Sequence, residues 1–244
     1  MGNGYWVIRT YKCGQMEEKI KYWIQGERPT RSERRLKAEI RKQQSNEASA
    51  VKRVNRLLHA YFDHKDWLLT VEYSDEKRPA GADQNETWEM AKHQQELWFD
   101  RIRKECKKQG VSLRYLAFTS DMDGETGEMV NVHHHVVINR EALEIAMQKW
   151  GKGFVHAEHI WEERDHMGLA QYLMNQVRRI EDAKKYTRSR NMPDPKPQDK
   201  IAKNGAELRA PKGTYMLYRG PYIPGWPQYI RYWRPPTDGP GEGG

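Results

Sequence analysis

At 244 residues with a net charge of +8, the chain is long enough for one large domain or for a core domain with extensions, and its basicity suits a polyanionic partner. Its two cysteines, Cys13 and Cys106, are too few for a disulfide framework or a cysteine zinc site, which favours a reducing compartment. No apolar run approaches a membrane span and the N-terminal residues lack a signal-peptide hydrophobic stretch, so the expected location is the cytoplasm, with no membrane partner.

The charge is uneven. Residues 1–66 hold 15 Lys+Arg against 8 Asp+Glu and residues 172–213 hold 11 against 5, whereas residues 67–171 hold 13 against 19. Two basic arms therefore flank an acidic centre, and an acidic centre in a polyanion-binding protein is what a bound cation would reconcile.

In chain order, residues 31–59 have helix-forming composition with sparse apolar positions such as Leu36, Ile40, Val51, Val54 and Leu57, and they predict a basic, mainly helical N-terminal extension over 1–63. Trp67–Tyr73 reads as a buried strand closed by the turn-rich stretch from Ser74 to Asp83. Residues 86–109 predict a long helix ending before Gly110, with Trp88, Leu97, Trp98 and Ile102 on its apolar face. Leu113–Thr119 is the next strand, Asp121–Glu128 a polar turn, and Met129–Asn139 a third strand. A short helix over Glu141–Trp150, a short strand over Gly153–Ala157 and a helix over Met167–Lys185 follow. The order βαββαβα predicts an α+β fold: an antiparallel sheet of four to five strands with helices on one face and the other face open. A polar stretch from Ser189 to Gly213 leads to a tail dense in Tyr, Trp, Pro and Arg, so 196–244 reads as an aromatic C-terminal extension. Within it Tyr222, Trp226, Tyr229, Tyr232 and Trp233 suit either stacking of unpaired bases or clasping of the core.

The chemistry is concentrated in Val132-His133-His134-His135-Val136-Val137-Ile138. Side chains alternate along a strand, so His133 and His135 share a face and can grip one divalent cation, while His134 points the other way. His156 and His159 are better suited to surface or packing roles. On the last helix, Tyr172 is followed by the basic residues Arg178, Arg179, Lys184, Lys185, Arg188 and Arg190, the candidate nucleic-acid contacts. A metal site, a tyrosine and a basic flank together suggest phosphodiester chemistry in which the phenol oxygen attacks phosphorus. The tyrosine–phosphate bond would keep the energy of the broken one, so rejoining needs no ATP.

Three blocks in this order resemble the His-hydrophobe-His (HUH) single-strand endonucleases, particularly rolling-circle replication initiators related to the filamentous-phage gene II protein. Trp67-Leu-Leu-Thr-Val-Glu-Tyr73 is similar to the first strand motif, Val132–Ile138 to the metal motif, and Tyr172-Leu-Met-Asn175 to the tyrosine helix motif; Tyr186–Pro193 resembles a segment common after that helix. The likeness covers about 64–195, the expected endonuclease domain.

What the resemblance implies is a ferredoxin-like (RRM-like) five-stranded sheet, His133 and His135 as ligands of Mg²⁺ or Mn²⁺, and Tyr172 as a nucleophile that leaves a 5′-phosphotyrosine and a free 3′-hydroxyl. The implied partners are single-stranded or origin-hairpin DNA and, in a bacterial host cell, the replication helicase and polymerase, since the chain has no Walker-type loop of its own. A relaxase or single-tyrosine transposase would share the site, and a non-catalytic nucleic-acid-binding module would share only the fold. His134 stands where the family has a hydrophobe, and Asn175 where it commonly has a lysine. Arg178 and Arg179, one turn on, are the candidates to replace that ammonium. For the third metal ligand, Asp121 is the first choice from its strand face, Glu72 is the chief rival, and Ser120 stands where the family often has a glutamate.

Overall fold

A computed structural model describes residues 4–25, 49–160, 164–178, 184–202 and 207–236. It has an α+β fold with two antiparallel five-stranded sheets, and the chain divides into two compact units, Tyr61–Pro193 and a second one combining Met1–Ala60 with Asp194–Gly244. Among the described residues, no helix is long and apolar enough to cross a membrane.

The unit built from the two chain ends departs most from expectation. Residues 4–25 are not helical; they form a hairpin of β1 (Gly4–Cys13) and β2 (Met16–Gln25). The predicted helix is observed as α1 over 49–61, and the rest of that prediction lies outside the described residues. The C-terminal segment contributes β8 (Gln198–Ala202), β9 (Tyr215–Arg219) and β10 (Gln228–Trp233), giving the order β8-β1-β2-β10-β9. Bidentate Arg9–Asp199 pairing and a hydrogen bond from Tyr232 Oη to Glu17 Oε2 tie residues about 190 and 215 positions apart. Of the tail aromatics, Tyr232 and Trp233 are buried in β10, whereas Tyr222 and Trp226 are exposed.

The other unit carries the histidines. Its sheet runs in the order β6 (Val155–His159), β3 (Trp67–Val71), β5 (Met129–Ile138), β4 (Tyr115–Met122), β7 (Thr187–Arg188), all antiparallel. The long helix α2 (Gln84–Gln109) starts where Asp83 accepts a hydrogen bond from Glu86 N, while the Glu86 side chain reaches back to Ala82 N; one orphan amide of the first turn and the amide just before the cap are thereby satisfied. Trp88, Trp98, Phe99 and Ile102 of α2 pack with Trp150 of α3 (Leu143–Trp150) onto Leu69, Val71, Val132, Val136 and Ile138 of the sheet. Burying each of these large side chains contributes about 1.5–3 kcal/mol, so this face is what fixes the register. Gly153 lets the segment before β6 press against β3: a Cβ there would lie 2.2 Å from Glu72 O.

Two expectations change here. The helix predicted over Met167–Lys185 is only nine residues, α4 (Met167–Asn175), and Lys184 and Lys185 are not helical. Moreover, the helices do not all lie on one face. Side chains of Gln176 and Tyr172 meet His135, which points away from α2 and α3, so the end of α4 covers part of the face expected to be open.

Candidate functional site

The strand register sets the site. Thr70 lies opposite His135 across β3 and β5, and Ser120 lies opposite His133 across β4 and β5. His133 and His135 therefore project from one face, with Nε2 atoms 3.1 Å apart, while His134 projects into the packed face.

His134 is structural. It is fully buried, with Nδ1 3.0 Å from Gln95 Nε2 and Nε2 2.8 Å from Tyr73 Oη. The Gln95 amide can only donate, so Nδ1 accepts and Nε2–H donates to the Tyr73 oxygen. Burial pushes its pKa down to about 3, which keeps the ring neutral. His134→Leu should cost about 2–4 kcal/mol by leaving buried partners unsatisfied, read as a shift in urea midpoint, with Mn²⁺ affinity unchanged.

The outer pair faces a third donor that the sequence reading missed. Gln176 Oε1 is 2.8 Å from His135 Nε2 and 3.4 Å from His133 Nε2. Gln176 directly follows α4 and lies four residues after Tyr172, so the two side chains share a helical face. Gly124 in the β4–β5 turn makes room for it, since a Cβ there would come within 3.1 Å of Gln176 Cγ. The spacing from the tyrosine was the only signal available, because a glutamine has no charge or periodicity to mark it.

His133 turns a bare lone pair toward the point where these groups meet, whereas His135 Nε2–H donates to Gln176 Oε1 at 2.8 Å, a proton that a bound cation would displace. His133 Nδ1 is 2.9 Å from the Asn131 carbonyl, which can only accept, so in the neutral ring Nε2 has no proton. His135 Nδ1 lies 3.3 Å from the Thr70 hydroxyl, and burial, reinforced by the neighbouring His133, pushes the His135 pKa down to about 4. Two imidazole nitrogens and an amide oxygen, separated by 2.8–3.4 Å, match the roughly 3.0 Å spacing of neighbouring ligands around an octahedral cation with bonds of about 2.1 Å. Imidazole and carbonyl-type oxygen are a donor set that accepts Mn²⁺ or Mg²⁺.

Asp121 is not part of this set. A bulge between Ser120 and Met122 breaks the alternation of β4, and the Asp121 carboxylate lies 2.5 Å from Arg178 Nε. Burial pushes the Asp121 carboxyl above the usual carboxylate range, against the pull of Arg178. Among the described residues no group of three or more His, Cys, Asp or Glu side chains could hold a metal. Ser120 is buried opposite His133, Glu72 lines the cleft, and Asp123 shapes the turn by accepting from Glu125 N and Thr126 N.

Tyr172 is 39% exposed and its ring centre is 5.3 Å from that of His135. Thr70, Glu72, Arg78, Asn131, His133, His135, Tyr172 and Gln176 border one cleft of about 400 Å³. The expected DNA-contacting residues are dispersed. Arg178 is drawn inward by Asp121, Asn85 Oδ1 at 2.5 Å and the Gln84 carbonyl at 3.2 Å. Arg179 lies outside the described residues; Lys184 is exposed, Lys185 half-buried and Arg188 in edge strand β7. Arg190, also exposed, borders a second cleft with Arg103 and Tyr115. His159 stacks on Trp67 at 3.7 Å, and His156 pairs with Thr70 across β6 and β3.

No family model, no curated protein and no solved structure matches this chain.

Proposed function

We propose that this chain is a metal-dependent, tyrosine-using endonuclease that nicks single-stranded DNA at an origin and so initiates rolling-circle replication of a phage, plasmid or integrated element. The observation that carries the reading is the convergence, in one cleft, of His133 Nε2, His135 Nε2 and Gln176 Oε1 beside the exposed phenol of Tyr172. His133, His135 and Gln176 would hold Mg²⁺ or Mn²⁺, which when bound polarises a scissile phosphate and stabilises the charge that builds on it. Residues of the chain do the rest. Thr70 and the Asn131 carbonyl fix the two imidazole rings, and α4 presents Tyr172 and Gln176 on one face, so nucleophile and ligand are positioned by one element.

In the reaction the Tyr172 Oη–P bond forms as the P–O3′ bond breaks. The phenol proton leaves to solvent, and the departing O3′ takes up a proton to become the free hydroxyl that primes synthesis. The product is a 5′-phosphotyrosine, which a later 3′-hydroxyl can attack to reseal the strand. Helicase and polymerase would come from the host.

The test is incubation of the wild-type chain with single-stranded DNA of randomised sequence. A covalent adduct should form with Mn²⁺, be absent in EDTA, and map by mass spectrometry to the peptide containing Tyr172. An adduct elsewhere, or nicking without one, would sink the assigned chemistry.

A further inference from the structure

One charged group in the same cleft has no part in the scheme above. Of the described residues that border it, Arg78 is the single Lys or Arg. It follows the short 3₁₀ turn Asp75–Lys77 and pairs with Asp75 at 2.8 Å. That carboxylate is 91% exposed, so the pair is a weak surface anchor three residues along the chain. The Arg78 Nε, by contrast, is buried and has no hydrogen-bond partner. The Arg78 side chain is nonetheless 32% exposed and borders the cleft, so its guanidinium can meet an oxygen that arrives from outside the protein.

The charge balance points the same way. Arg178 is engaged with Asp121, Asn85 and Gln84. Arg78 is left as the cation bordering the cleft of Tyr172, His133 and His135. Its planar fork of donors matches the oxygens of a phosphodiester better than an ammonium would.

We propose that Arg78 is the phosphate-binding residue of this cleft, its guanidinium donating to a non-bridging oxygen of the single-stranded DNA backbone at the bond Tyr172 attacks. The proposal rests on the endonuclease reading and names how that site meets its substrate's charge. Because the contact opposes charge that grows on the phosphate, it contributes more in the transition state than in the ground state.

The test uses the full chain with ¹⁵N-labelled arginine, the Arg78 Nε–Hε resonance being identified by its disappearance in Arg78→Lys. In EDTA, where no cleavage occurs, the resonance should shift on addition of a short oligothymidylate and stay in place with its uncharged methylphosphonate analogue. With Mn²⁺ and randomised single-stranded DNA, Arg78→Met should slow adduct formation on the order of 100-fold, and Arg78→Lys should recover about tenfold of that. A resonance indifferent to DNA, or an Arg78→Met rate within twofold of wild type, overturns the proposal. A phosphate-dependent shift in a wild-type protein that forms no adduct would instead overturn the endonuclease reading and support the phosphate site.

Discussion

Tyr172→Phe should abolish covalent attachment to DNA, roughly 10³-fold or more in rate, while leaving Mn²⁺ affinity within about twofold of wild type. The substitution deletes one oxygen and keeps the ring that meets His135 at 5.3 Å. Packing at the end of α4 is therefore retained, and a change at a position 39% exposed should shift stability by no more than about 1 kcal/mol. Metal affinity is the discriminating control. Since Tyr172 and Gln176 sit on one helical face, a variant that disturbed α4 would displace Gln176 from His133 and His135 and weaken metal binding along with cleavage. Loss of the adduct with metal binding intact isolates the phenol oxygen as the nucleophile. An adduct that persists in Tyr172→Phe would show that another group attacks phosphorus.

Much of the sheet around the histidines follows from alternation alone. His133 and His135 project together and His134 opposes them because a strand repeats every two residues, and the burial of His134 against Gln95 and Tyr73 bears out the separation. At Asp121 the same rule was applied to the wrong face. Ala117 and Thr119 pair with Val136 and His134 on the packed side, and it is Ser120 that lies opposite His133; the bulge between Ser120 and Met122 then takes Asp121 out of the regular alternation. A neighbouring arginine then supplies Asp121 with a partner of its own.

The end sheet was illegible for a different reason. β1 and β2 mix Lys, Trp and Ile without a clean apolar face, and their outer neighbours β8 and β10 come from the far end of the chain. Pairings such as Val7 with Ile201 or Glu17 with Tyr232 leave no local trace in sequence, because the contacts that stabilise these strands are non-local. α4 ended early for a reason equally hidden: beyond Asn175 the side chains of Gln176 and Arg178 turn inward, to the histidines and to Asp121, and these tertiary contacts outweigh the helical propensity of the basic stretch.

Gln176 carries the second large effect. Gln176→Leu should weaken Mn²⁺ binding on the order of 10- to 100-fold, or about 1.4–2.7 kcal/mol, measured by titration calorimetry, and adduct formation at limiting Mn²⁺ should fall in parallel. Leucine keeps much of the side-chain bulk but offers no lone pair where Oε1 lies 2.8 Å from His135 Nε2. Gln176→Glu should bind Mn²⁺ at least as tightly as wild type, because it presents an oxygen from the same position with a charge that the two neutral imidazoles lack. Asp121→Asn is the opposing control, expected to leave Mn²⁺ affinity within about threefold since its carboxylate is held by Arg178. If Asp121→Asn abolished binding while Gln176→Leu did not, the carboxylate would be the third ligand, and α4 would carry only the nucleophile. The expected order has a mechanistic consequence: with ligand and phenol on a single turn of helix, any movement of α4 that withdraws Tyr172 also withdraws Gln176, so metal occupancy and nucleophile position would be coupled through that turn.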